Sequence, residues 1–339
     1  MSHGHHHFDT QTKPKNSYTI GVILLTGFIG LIILKNVAQG IPTSQVPSIL
    51  TDGITIALGV FIGAFPFVIL GVLFSVVAQV FIPDRWIDKL SDAHPVIRRI
   101  VLTFAGMTFP VCECGNIPVS RTLIAKGFSV GDSTTFLLSA PIINPITITT
   151  TAVAFGWTSD VLFGRVLGGI IIANLVGVAL SMFRNQSSLL RRDFVEYCEM
   201  QHAHVITNKR TASFEKFFAE LSMLLPAVII AAVIAALIQT IVPVEVISAI
   251  GDSPILGVLV MMLLAFVISI CSNVDSFFAL SLSSSFSSGA LTSFLTFGAM
   301  VDIKMIALMR TTYSVKGIAV IVAIAAIGSA VLGWVVNAI

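Results

Sequence analysis

Long apolar stretches separated by short polar segments dominate the pattern of hydrophobic positions along the chain. Most of them provide the roughly 20 mostly apolar residues that a helix needs to cross a bilayer. Because lipid cannot hydrogen-bond to free backbone groups, such stretches are expected to be helical. The pattern therefore predicts an all-α polytopic membrane protein. The apolar stretches begin near Tyr18, Ile54, Val161, Phe217, Ser253, Leu291 and Gly317.

Two segments, 97–126 and 254–288, are apolar but interrupted. The first contains Pro110 and Pro118, which remove helix hydrogen bonds, and the second contains the polar run 271–276. We expect each segment to form a helix, a break and a second helix, re-entering the membrane. Paired discontinuous helices of this kind are the best sequence indication of a transporter's binding site.

The two interrupted segments belong to an internal repeat. Pro66 and Pro226 lie 160 residues apart, and Cys112 and Cys271 lie 159 apart. The sequence therefore predicts a first membrane repeat over 54–183, a cytoplasmic loop over 184–215 and a second repeat over 216–339. Residues 1–53 are predicted to contain a His-rich tail and an extra transmembrane helix. The same register aligns Asp92 with Asp252 and, after one further deletion, Asn144 with Asp302.

The loops of the two copies differ in charge. Short loops rich in Lys and Arg stay in the cytoplasm. The loop after Pro83 is basic, whereas the equivalent loop after Pro243 has two acidic residues and no basic one. The repeat is therefore expected to be inverted, with seven spanning helices beside the two re-entrant hairpins. Nine or ten full spans is the alternative, since each broken segment is nearly long enough to cross.

Composition supports a membrane protein and excludes other classes. The 339 residues are 55% hydrophobic and 11% charged, against roughly 25% charged in soluble domains. A net charge of +2 is too small to indicate nucleic-acid binding. The phosphate-binding sequence G-x-x-x-x-G-K-[ST] is absent. The chain is therefore expected to bind no nucleotide and no cofactor, and to couple to an ion gradient or to a separate subunit.

Carboxylates inside apolar segments are costly, by roughly 2.5–3.5 kcal/mol on insertion scales, and are functional candidates by default. We expect Asp275 and Asp302 to carry protons or cations. The alternative is a fixed ion pair with Lys304, Arg121 or Arg310. Lys304 has a second interpretation, as a residue that snorkels to the cytoplasmic end of its helix.

The cysteines near the breaks allow three hypotheses. Cys112 and Cys114 could share a soft ligand with Cys271 if the backbone is irregular and the two hairpin tips meet; Cu(I), Zn(II) and trivalent arsenic are such ligands. Buried apolar packing is the plain alternative. A membrane thiol oxidoreductase is disfavoured because C-x-x-C spacing is absent, and a scaffold would not explain paired polar breaks. Cys198 and the histidines at 202 and 204 are interpreted as a solvated segment rather than a metal site.

Two sequence elements, 109–119 and 139–145, resemble the ArsP/YraQ-type predicted permease family. The first, FPVCECGNIPV, is similar to its P-x-C-x-C-G-x-x-P break, and the second, SAPIINP, to its S-A-P-x-x-N-P element. The resemblance implies a permease of a bacterial-type inner membrane or of plastid lineage, with efflux of trivalent organoarsenicals known for some members. The matching positions are Cys112, Cys114, Pro118, Pro141, Asn144 and Pro145.

The predicted function is a multi-pass permease of the cell inner (plasma) membrane that moves a small solute by alternating access. Trivalent arsenicals are the leading substrate, with a divalent metal or another small solute as the alternative. No catalytic residue is expected, the metal ligands are undecided, and the partner is a second copy or an accessory subunit. The predicted binding or coupling residues are Cys112, Glu113, Cys114, Asn116, Asn144, Cys271, Asn273, Asp275 and Asp302.

Overall fold

The computed structural model describes residues 48–81, 90, 93–108, 113–203, 209–241 and 255–339. Within these ranges the chain forms helices and no β-strand. The expected first transmembrane helix, the His-rich tail, the loop after Pro243 and Cys112 lie outside the described residues, as do residues 84–89 and 91–92 of the loop after Pro83. The helices are α1 Ser48–Phe81, α2 Pro95–Ala105, α3 Glu113–Ala125, α4 Val130–Ile143, α5 Pro145–Phe155, α6 Asp160–Ser181, α7 Arg192–Ala203, α8 Lys209–Ile241, α9 Leu256–Ile268, α10 Asp275–Ser281, α11 Ser288–Met300, α12 Ile303–Met309 and α13 Val315–Ala338.

Polar side chains at the N-cap position define where many of these helices begin. Ser129 and Ser287 accept hydrogen bonds from the first turns of α4 and α11, and Asn144 and Asp302 do the same for α5 and α12. An N-cap side chain satisfies one of the backbone donors that a helix start leaves free. The helix that follows each break, α5 after α4 and α12 after α11, therefore has a capped N-terminus.

Four described helices, α1, α6, α8 and α13, contain segments long and apolar enough to cross a membrane, and α11 with α12, over Ser288–Met309, is a fifth candidate. The pair α4 and α5, bent by 41°, is a sixth. The arms of the broken segments are shorter: α9 has 13 residues, or roughly 20 Å at 1.5 Å per residue. That length falls short of a hydrocarbon core of about 30 Å. The all-α polytopic architecture is confirmed, whereas the choice between seven and nine or ten spans stays open.

The order of elements in α1–α6 recurs in α8–α13, and a close helix crossing recurs with it. Gly177 of α6 packs on Gly131 and Thr135 of α4, and Gly333 of α13 packs on Gly289 and Ser293 of α11 in the same way. A Cβ at the first glycine of each pair would clash with its neighbours, so the backbones approach closely. Inversion of the two copies across a bilayer stays a prediction.

The centre of the molecule is formed by α4 and α11. Every residue of α4 is buried, as are nearly all residues of α11. The long helices α6 and α13 pack on them, and α1 and α8 pack on each other. All four leave apolar side chains exposed on their outer faces, as expected for contact with lipid. In addition, Ser75 near the end of α1 donates to Glu220 near the start of α8 at 2.8 Å, which is the arrangement of antiparallel neighbours.

Candidate functional site

The second broken segment leaves its helix at Ser269 and re-enters one at Asp275. Ser269 ends α9 with φ at 53°, in the left-handed region that residues with a Cβ rarely adopt. The backbone between the two helices has free polar groups that need partners inside the protein. For the Ser272 N–H and the Ser272 carbonyl, those partners come from the first half of the chain.

Glu113, the first residue of α3, binds this unwound segment. One of its carboxylate oxygens accepts from the Ser272 hydroxyl at 2.9 Å and from the Ser272 backbone N–H at 3.4 Å. The Cys271 thiol is 3.9 Å from the same oxygen. The two halves of the chain therefore meet at their broken segments, and Glu113, predicted as a site residue, lies at the contact.

Lys304 joins Glu113 to Asp302. Its ammonium lies 3.4 Å from a carboxylate oxygen of each. Asp302 also caps α12, with Oδ1 accepting from the Met305 N–H at 2.6 Å. All three side chains are buried, so the interpretation of Lys304 as a snorkelling residue is wrong. It is held inside because two carboxylates from different helices converge on it.

A second buried cluster surrounds Asp275. Arg165 binds both of its carboxylate oxygens, at 2.6 and 3.0 Å, and also donates to the hydroxyls of Thr151 and Ser276 and to the Ser272 carbonyl. The alternative hypothesis, that Asp275 forms a fixed ion pair, is thus supported with Arg165 as the cation, a residue that the sequence analysis did not include. The signal was present, since Arg165 is a charge inside the apolar stretch after Val161.

A cavity of about 330 Å³, called the small cavity below, opens beside the first cluster. Its polar and thiol lining comes from Glu113, Cys114, Ser269, Cys271 and Lys304, and its apolar lining includes residues of α1 between 56 and 64. Cys114 and Cys271 are free thiols. Two sulfurs, a carboxylate and an ammonium thus face one space, which lies within the usual size range of small-molecule sites.

The other predicted site residues that the structure describes lie outside the lining of this cavity. Asn144 caps α5, and Asn273 accepts a hydrogen bond from the Thr147 hydroxyl at 3.1 Å. Asn116 is fully buried, and neither its Oδ1 nor its Nδ2 has a hydrogen-bond partner among the described residues. Arg121, considered as an ion partner, instead stacks on Phe194 at 4.4 Å.

A second and larger cavity, of about 1080 Å³, lies between α8 and α12 and is called the large cavity below. Apolar side chains such as Ile230, Ile234 and Ile306 form most of its wall. Charged residues of α7 and its neighbours, including Arg191 and Asp193, line it as well. Sequence reasoning did not foresee this space, because its lining residues are dispersed over several elements.

The comparisons with known proteins agree with the membrane architecture. The ArsP_1 family model, described as a predicted permease, matches residues 50–338. The chain is 38% identical over 261 residues to UPF0718 protein YcgR of Bacillus subtilis, covering 76% of this chain and 88% of that protein. It is 31% identical over 280 residues to a Streptococcus mutans protein named "Putative two-component membrane permease complex subunit", covering 80% and 91%. No solved structure matches the chain significantly.

Proposed function

The chain belongs to the ArsP_1 family of predicted permeases, and from that premise we propose that it moves a small thiophilic solute through the small cavity. The observation that supports this proposal is the placement of Cys114 and Cys271 beside Glu113 and Lys304 in one space. A membrane permease needs such a polar space between its broken helices, and this one lies where the two halves meet.

The donor set favours a trivalent organoarsenical. Methylarsenite has one methyl group and two exchangeable hydroxyls, so two thiols can replace both hydroxyls with the release of two waters. Cys114 and Cys271 supply that number, and soft sulfur ligands suit arsenic. A divalent metal is the second candidate. Among the described residues, however, no three His, Cys, Asp or Glu side chains are grouped to hold a metal ion.

The charges around the small cavity favour a cationic or proton-coupled cycle. With all groups ionised, Glu113, Asp302 and Lys304 sum to one negative charge, which an incoming proton or cation would neutralise. Buried charges are stable only while paired. We propose that protonation or solute binding at Glu113 releases Lys304, so that the contact between the halves opens and the inverted repeats exchange access. Asp302 then remains the partner of Lys304 within α12.

We also propose a second subunit and a plasma-membrane location. The Streptococcus mutans relative is named as a subunit of a two-component permease complex. This chain is 31% identical to it over most of both lengths. Native mass spectrometry of the protein isolated from its own membranes would distinguish a different partner from a second copy. A mass equal to one chain alone would contradict both.

Transport of methylarsenite into everted vesicles tests the main proposal. We expect Cys114→Ser and Cys271→Ser to lower the flux at least tenfold, because either change leaves one sulfur. Cys198→Ser, on α7 and outside the small cavity, is the matched control and should transport normally. Equal flux in all three variants would exclude thiol binding. Transport of zinc and not of methylarsenite would favour the second candidate.

A further inference from the structure

The small and large cavities lie on different sides of the same two helix ends. At the start of α12, Ile303 lines the large cavity and the next residue, Lys304, lines the small one. At the end of α9, Phe266 lines the large cavity, whereas Ile268 and Ser269 line the small one. Two different helix ends divide their neighbouring residues in the same way. Together they form a wall, which we call the α9–α12 partition.

A hydrogen bond joins the two helix ends that form the partition. The Ile303 backbone N–H donates to the Ser269 hydroxyl at 3.2 Å, and both residues are buried. Ser269 adopts its left-handed backbone at this point. A residue with a Cβ adopts that conformation against its intrinsic preference, so the surrounding contacts hold it there. The partition is therefore a defined contact between two helix ends.

The two cavities extend differently along the antiparallel helices α1 and α8. The small cavity touches residues 56–64 of α1. The large cavity is lined by α8 from Glu220 to Ile234, and Glu220 accepts a hydrogen bond from Ser75 of α1. Ser75 lies 12 residues beyond Gly63, or roughly 18 Å along the helix axis at 1.5 Å per residue. The large cavity is therefore beside the small one near Ile234 and extends beyond it toward the level of Ser75.

The lining of the large cavity indicates what it accepts. Met223, Ile230, Ile234 and Ile306 present apolar surface. Five charged residues also line it, and four of them have partners among the described residues: Arg191 is paired with Asp193, Glu220 accepts from Ser75, and Arg121 donates to the Thr311 carbonyl, each at 2.8 Å. Arg310 is the fifth. Most of the wall is apolar, and apolar walls favour an organic group over a bare ion, which needs polar partners to replace its hydration shell.

We propose that the large cavity is a second chamber of the permeation pathway, closed off from the small cavity by the α9–α12 partition and selective for solutes that carry an organic group. This inference rests on the proposed function, because it assigns both cavities to one solute path. Ile303 and Phe266 are then the residues that keep the chambers apart, and shortening either side chain should join them.

Thiol labelling in sealed vesicles of both orientations tests the partition. The starting protein carries Cys112→Ser, Cys114→Ser and Cys198→Ser, leaving Cys271 as a reporter in the small cavity. A membrane-impermeant methanethiosulfonate cation should label it from one side of the membrane only. Ile303→Ala and Phe266→Ala should each raise labelling from the other side at least tenfold. Ile306→Ala, which also lines the large cavity but lies outside the partition, is the control and should change nothing.

Unchanged labelling in both partition variants, or an equal increase in the Ile306→Ala control, would overturn the partition.

A Met223→Cys reporter tests the selectivity. The labelling rate of each reagent is divided by its rate with glutathione, which corrects for intrinsic reactivity. After this correction, a benzyl-bearing reagent should label the reporter thiol at least tenfold faster than a methyl-bearing reagent of the same charge. Equal corrected rates would overturn the selectivity. Labelling requires no transported substrate, so its failure leaves the permease proposal standing. A loss of arsenical flux together with the expected labelling pattern would contradict the proposed function and leave the partition standing.

Discussion

Lys304 of α12 and Glu113 of α3 form a buried ion pair across 191 positions of sequence, with 3.4 Å between ammonium and carboxylate. One partner comes from each half of the chain. Asp302, the other carboxylate that contacts Lys304, lies in the same half of the chain as Lys304. The Glu113–Lys304 pair is therefore the contact that links charges of the two halves at the small cavity. Its strength should govern both stability and transport.

Replacing Lys304 by Met should strongly destabilise the protein. The change leaves Glu113 and Asp302 buried without their cation, and breaking a buried pair by removing one partner typically costs about 3–5 kcal/mol. Thermal unfolding in detergent measures the effect. The double variant Glu113→Gln, Lys304→Met should recover part of the loss, because one of the two stranded carboxylates is then neutral. Additive losses in the double variant would show that the pair does not act as a unit.

Arg165→Lys should be poorly tolerated although it keeps the charge. The guanidinium binds both oxygens of Asp275 and reaches Thr151, Ser276 and the Ser272 carbonyl, whereas an ammonium cannot reproduce this fork. We expect a lower melting temperature and a similar loss for Asp275→Asn. Full stability of Asp275→Asn with abolished transport would instead identify Asp275 as a carrier, as the sequence alone suggested.

The sequence predicted local features of the site better than its pairings. The polar run 271–276 lies at the break between α9 and α10, as expected. Pro118, expected to interrupt a helix, lies inside α3 instead, and Pro110 lies outside the described residues. The Asn-Pro and Asp-Ile steps at 144 and 302 are recognisable cap signals. The contact between Glu113 and Lys304 could not be predicted, because nothing local specifies which of several intramembrane charges will meet. Arg165 could have been included, since a cation within an apolar span requires an anion nearby.

Asp302 has two roles that substitutions can separate. Its Oδ1 caps α12 and its charge pairs with Lys304. Asp302→Asn should keep the cap and lose the charge, whereas Asp302→Ala should lose both. We expect the alanine variant to be less stable than the asparagine variant by about 1 kcal/mol, the usual contribution of an N-cap. Transport driven by an imposed pH gradient should fall in both if the charge couples. A gradient response in Asp302→Asn equal to that of the unmodified protein would assign Asp302 a structural role alone.

The crossing glycines should tolerate no side chain, in either half. At Gly177 an added Cβ would meet the Thr135 hydroxyl and the Gly131 carbonyl, and at Gly333 it would meet the Ser293 hydroxyl and the Gly289 carbonyl. Because backbone carbonyls cannot move aside without shifting a whole helix, Gly177→Ala and Gly333→Ala should each lower the free energy of unfolding by about 1–3 kcal/mol, as overpacking does.

Gly59→Ala is the matched control for this prediction, since nothing lies within 4 Å of its added Cβ. In the interior of α1 it should be neutral or stabilising by up to about 1 kcal/mol, because alanine favours helix over glycine. Thermal unfolding of the three variants in one detergent measures the contrast. Equal effects at Gly177 and Gly59 would mean that the close crossing is absent. A large effect at Gly177 alone would mean that the two crossings are not equivalent, and the internal repeat would lose its packing evidence.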